Sequence, residues 1–90
     1  GVKLSALDIE NKLLKIAGVE AVAVVKIADE VRGDNFLAYI VGNIDKKIIR
    51  QALNPSESPK EIIFVKNLPL NSSGKVDKKI LIEMSRKLRS

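Results

Sequence analysis

Residues 20–27, Glu-Ala-Val-Ala-Val-Val-Lys-Ile, hold six apolar side chains in eight positions with little alternation between apolar and polar. A strand with one wet face alternates with period two, so a run like this one must bury both faces. In a chain of 90 residues, the simplest way to do so is a small sheet with helices on both sides. That length supplies one modest core and not two, so a single domain over residues 1–90 is expected.

The remaining elements follow from local signals. Ser5-Ala6-Leu7-Asp8 reads as a capping box, after which Ile9, Leu13, Ile16 and Ala17 recur at helical spacing and Gly18 offers a left-handed stop. Residues 28–35 are charged, contain Gly33 and read as a turn. Residues 36–41 form a second apolar strand, and the short connection favours antiparallel pairing with the first. Asp45 caps a second helix with Ile48, Ile49, Ala52 and Leu53 on its inner side. Residues 54–60 carry two prolines and two serines and read as a loop. Residues 61–66 form a third, short strand. A final helix begins near Val76, with Val76, Ile80, Leu81, Met84 and Leu88 as its apolar stripe and basic residues crowding its last turns. The expected fold is therefore α+β: a small, mainly antiparallel three-stranded sheet with helices packed on both faces.

Several chemistries are excluded by what is missing. The chain has no cysteine and no histidine, so disulfides, thiol nucleophiles, Ser/His/Asp triads and most zinc sites are ruled out. The missing cysteine fits a reducing compartment. No apolar run approaches the ~18 residues of a membrane span and no signal peptide opens the chain, so a soluble, cytoplasmic domain is expected. Asp29, Glu30 and Asp34 crowd one turn but lack the ligand ladder of a calcium loop, and read as solubilising charge. No metal site is expected. The net charge of +5 suits anionic partners. Lys78, Lys79, Arg86, Lys87 and Arg89 could touch nucleic acid, but Phe36, Tyr39 and Phe64 fall inside the strands and read as core rather than as stacking platforms. A solvated helix face is the better account.

The segment that remains is Leu68-Pro69-Leu70-Asn71-Ser72-Ser73-Gly74-Lys75-Val76-Asp77, which puts a lysine on a glycine turn between a strand and an amphipathic helix. A cation on such a pedestal suits a phosphate or a carboxylate. It is not a P-loop, because G-x-x-x-x-G-K-[ST] needs glycine where Pro69 stands and a hydroxyl where Val76 stands. Taken alone, a capped turn carrying a solvated lysine explains the same residues.

The chain resembles the C-terminal subdomain of the adenylate-forming superfamily, which includes acyl-CoA synthetases, luciferases and peptide-synthetase adenylation domains. Residues 1–10 are similar to the family's glycine–aliphatic–Glu-Ile-Glu opening, with Asp8 where Glu is usual. Residues 18–25 and 37–41 resemble its first two strands. Residues 68–81 resemble its leucine-proline, threonine, glycine-lysine, valine-aspartate run, with Asn71 in place of threonine and Lys78-Lys79 in place of arginines.

The resemblance implies a mobile lid that closes over a large N-terminal adenylation domain, on the same or a separate chain, where ATP with magnesium and a carboxylic acid bind. Lys75 matches the lysine that enters the site during adenylation, on a turn made of Asn71, Ser72, Ser73 and Gly74. The lid then rotates for thioester formation, turning Gly1, Val2, Lys3 and Leu4 toward the tunnel by which coenzyme A or a carrier-protein phosphopantetheine arrives. By itself the chain would be inactive and would bind no cofactor. The alternative is a free-standing lid-like module that binds a separate ligase body or an acyl carrier protein.

Overall fold

The computed structural model describes residues 6–29, 33–54 and 58–89. Its elements run α1 (Ala6–Leu14), β1 (Val19–Asp29), β2 (Gly33–Gly42), α2 (Lys46–Gln51), β3 (Glu61–Phe64) and α3 (Lys78–Arg89). The three strands form one sheet in the order β1-β2-β3. β1 and β2 pair antiparallel from Val19↔Gly42 to Asp29↔Gly33, whereas β3 joins β2 in parallel from Leu37↔Glu61 to Ile40↔Phe64.

Both faces of the sheet are buried, as residues 20–27 require. Val22, Val24, Ala38, Ile40 and Ile62 point to one side, where Ile9 and Leu13 of α1 and Ile49 and Leu53 from the α2 segment cover them. Ala23, Val25, Ile27, Leu37 and Tyr39 point to the other side, under Leu81 of α3. The period-two geometry of the strands thus divides one apolar run between two cores.

Local chemistry sets the ends of several elements. α1 ends at Leu14, short of Ile16 and Ala17, where the Lys15 and Ile16 N–H groups turn back to the Lys12 and Leu13 carbonyls; Gly18 takes φ +100° later, in the turn that enters β1. The Asp45 carboxylate accepts from the Lys47 N–H at 2.8 Å and caps α2. The proposed cap at Ser5 lies outside the described residues.

Several sequence expectations need correction. The hairpin is longer than the charged segment 28–35 suggested, since pairing continues through Ala28↔Asp34 to Asp29↔Gly33. Ladder hydrogen bonds do not require apolar side chains, and a two-stranded ribbon leaving the core tolerates charge; residues 30–32 lie outside the description. β3 ends at Phe64 rather than at residue 66.

α3 starts at Lys78, because Val76 is held in an antiparallel bridge with Leu70 instead of the first helical turn. A β-branched residue suits that extended position. With the helix starting later, its inner face shifts: Leu81 is fully buried, Ser85 is buried and Ile82 and Met84 pack against the core, but Ile80 is 40% exposed. The Leu88 side chain lies outside the description.

On α2 and in the turn that follows it, Ile49 and Leu53 face inward, but Ile48 and Ala52, also expected on the inner side, are exposed. Of the aromatics assigned to the core, Tyr39 is completely buried under α3 and Phe36 packs against the core on the opposite face of the sheet, but Phe64 is exposed at the sheet edge. No helix among the described residues is long and apolar enough to cross a membrane.

Candidate functional site

The turn carrying Lys75 is built from its own backbone and one side chain. The Leu70–Val76 bridge closes its base, and inside it the Asn71 N–H donates to the Lys75 carbonyl at 2.7 Å. The Gly74 N–H donates to the Asn71 carbonyl at 3.0 Å. The Asn71 Oδ1 accepts from the Ser73 N–H at 2.8 Å and from the Lys75 N–H at 3.1 Å. A short polar side chain that bonds its own backbone ahead is the usual way to hold a tight loop. Gly74 supplies the left-handed residue at φ +81°, which a side chain would resist.

The turn leads directly into α3. The Asp77 N–H donates to the Pro69 carbonyl at 2.8 Å. The Asp77 carboxylate accepts from the Lys79 N–H at 3.0 Å and the Ile80 N–H at 3.4 Å, capping the helix. Residues 70–75 are all exposed, so the ammonium of Lys75 stands in solvent at the end of a structured stem. Among the described residues no carboxylate is recorded in an ion pair with it. The cluster Asn71, Ser72, Ser73, Gly74 and Lys75 is therefore one local unit, whereas Gly1, Val2, Lys3 and Leu4 lie outside the described residues.

Two contacts near the start of α3 were not legible as functional features. Glu10, buried on α1, accepts from the Val24 N–H at 2.9 Å and pairs with the Lys78 ammonium at 3.3 Å. β1 is an edge strand, so Glu10 satisfies a backbone donor that the sheet leaves open. On the other face, the hydroxyl of Tyr39 donates to the Leu81 carbonyl at 2.9 Å. Burial and, to a smaller extent, the charge of Glu61 raise the Tyr39 pKa above its ordinary value of 10.0. The only sequence signal for Glu10 is a charge next to Ile9 on a core-facing stripe; Tyr39 has none beyond its place in an apolar strand.

Two open grooves lie elsewhere. One runs beside Gly18, Gly42 and Lys66, and the other lies between α2 and β3, where Lys46, Arg50 and Lys60 line it. Neither includes the Lys75 turn. Among the described residues no group of three acidic side chains is placed to hold a metal ion.

Residues 8–75, ending on that lysine, match the family model of the AMP-binding enzyme C-terminal domain. The chain belongs to this family. It is the C-terminal subdomain type of the adenylate-forming ligases. As an AMP-binding enzyme C-terminal domain it is 33% identical, over 94% of its length, to acetyl-coenzyme A synthetase 2 of Candida albicans, and covers 15% of that protein. It is 36% identical over 94% of its length to bacitracin synthase 3 of Bacillus licheniformis, of which it covers 1%. Among solved structures it resembles apo MatB from Rhodopseudomonas palustris with a TM-score of 0.86 at 28% identity, covering all of this chain and 20% of that one. The chain thus spans a sixth or less of the curated relatives named here.

Proposed function

We propose that this domain is the mobile lid of an ATP-dependent acid–thiol ligase, and that Lys75 is its adenylation residue. A large N-terminal adenylation domain, on the same or a separate chain, would bind ATP and the carboxylic acid. The observation that carries this reading is the placement of Lys75. It stands on a glycine turn, stiffened by Asn71, at the point where the family match ends.

The chemistry fits a fixed cation. Adenylation brings an anionic carboxylate against the α-phosphate of ATP, forms the acyl–phosphate bond and expels pyrophosphate. A lysine ammonium already in place offsets the repulsion between the two anions and the charge that develops on the phosphate oxygens. A rigid stem matters because a flexible lysine would have to be ordered at the moment of reaction. In the second half-reaction a thiol displaces adenylate, and the cation is no longer needed there. Rotation of the lid would withdraw Lys75 and bring residues 1–4 toward the incoming coenzyme A or carrier-protein phosphopantetheine. Domain rotation is an established way for one site to serve two reactions.

The test is to measure the two half-reactions separately in the ligase that carries this domain. Lys75→Ala should lower acid-dependent ATP–pyrophosphate exchange by about two to three orders of magnitude, as removal of a charge-stabilising group does. Thioester formation from preformed acyl-adenylate should be largely spared. An equal fall in both would remove the assigned role.

A further inference from the structure

We propose that Glu10 and Tyr39 are positioning residues for Lys75, gripping the first turn of α3 at two points. This rests on the reading of Lys75 as the adenylation residue. The grip comes from two elements with different chemistry. Glu10 of α1 reaches past the β1 edge to the Lys78 ammonium, and its carboxylate is itself held by the Val24 N–H. Tyr39, in the middle strand, reaches through the opposite core to the Leu81 carbonyl.

Lys78 and Leu81 are three residues apart, so they lie one turn from each other on the same side of the helix. A helix held at one point can pivot about it; held at two, it keeps both its position and its rotation. From there the connection to Lys75 is continuous. Lys78 follows Asp77, whose carboxylate caps α3 and whose N–H bonds Pro69 at the base of the turn. Leu70 and Val76 pair one step further up, and Asn71 then binds the Lys75 N–H. A rotation of α3 would therefore carry the stem of Lys75 with it.

Both anchors lie within this chain, so a lid that rotates as a body takes its lysine along already placed. Glu10 is tied to the edge strand and Tyr39 is fully buried in the sheet, so neither depends on the N-terminal domain for its orientation. The two residues act through the helix and do not touch substrate.

The test uses Glu10→Gln, which keeps an acceptor for Val24 but removes the charge facing Lys78, and Tyr39→Phe, which removes only the hydroxyl. Lys75→Ala is the reference. In the ligase, each single variant should lower kcat for ATP–pyrophosphate exchange by about tenfold, and the double variant by about a hundredfold, as small misplacements of a reacting group do. The KM for ATP and the thioester half-reaction should be unchanged. In this chain alone, amide exchange at Gly74, Lys75 and Asp77 should quicken by about tenfold. A Glu10→Gln/Lys78→Met double variant should be no worse than either single change.

Faster amide exchange with normal adenylation in every variant, Lys75→Ala included, would overturn the reading of Lys75 and leave the anchoring as a structural fact. Loss of adenylation in Lys75→Ala alone, with normal exchange kinetics and amides in the other two, would overturn the positioning role. So would a parallel fall in both half-reactions that tracks melting temperature.

Discussion

Gly42 and Gly74 both take positive φ, yet only one of them is packed against a neighbour. A Cβ on Gly42 would stand 2.1 Å from the Gly18 carbonyl oxygen, a backbone atom that cannot swing away. A Cβ on Gly74 would meet nothing within 4 Å. Gly42→Ala should therefore destabilise the domain by on the order of 3 kcal/mol, through the clash. Gly74→Ala should cost about 1 kcal/mol, from its φ alone. Urea unfolding of the two variants, compared at equal slope, checks the difference. Asn71→Ala removes the acceptor of two turn amides and should cost about 1 kcal/mol, as the loss of a cap does, whereas Asn71→Asp keeps that acceptor and should cost less. Asn71 was legible as part of the turn because short polar side chains stabilise loops locally. Its two particular amide partners became visible only with the backbone in place.

At the level of elements, α3 is where pattern and packing part company. The stripe read from the sequence treats Ile80 and Leu81 alike, since both fit a helical period that begins at Val76. The bridge to Leu70 removes Val76 from the helix and Asp77 sets a new start, leaving Leu81 at 0% and Ile80 at 40% exposure. Leu81→Ala should cost about 2–5 kcal/mol, the range for emptying a buried aliphatic site. Ile80→Ala should fall within about 0.5 kcal/mol of the parent, as expected for a surface change. Thermal or urea unfolding of this adjacent pair checks the register directly; equal losses would contradict it. α2 shows the same limit on a shorter scale. Its start was legible from the Asp45 cap, but Ile48 and Ile49 are adjacent and similar, and only contact with the sheet separates them.

For the molecule as a whole, the single tyrosine reports on the core. Burial favours its neutral form, so the Tyr39 pKa is higher in the folded state than in the unfolded one. A raised folded pKa means that its contribution is fully present below pH ~10, the unfolded value, and is lost as pH rises above it, because the unfolded chain releases the proton first. Stability should thus fall on the alkaline side of pH ~10, and Tyr39→Phe should flatten that limb of the profile. Tyrosinate absorbance, which here reads one residue, should appear at higher pH in the folded chain than in the unfolded one. The whole chain should also show no ATP–pyrophosphate exchange above a Lys75→Ala control when assayed alone. Activity above that control would show that the domain needs no adenylation partner.

The unalternating apolar runs determined that both sheet faces are covered, Asp45 marked a helix start, and Gly18 marked the left-handed turn into β1. The Gly74–Lys75 turn could be read in the same way. These are signals between residues close in sequence, where side-chain period, capping and backbone freedom act without help from the rest of the fold. The tertiary structure decided the parallel placement of β3, the true start of α3 and the contacts that hold it. Glu10 meets the Val24 N–H across 14 residues and Tyr39 meets the Leu81 carbonyl across 42. A carboxylate or a hydroxyl finds partners that distant only after the sheet has formed and two helices have closed over it.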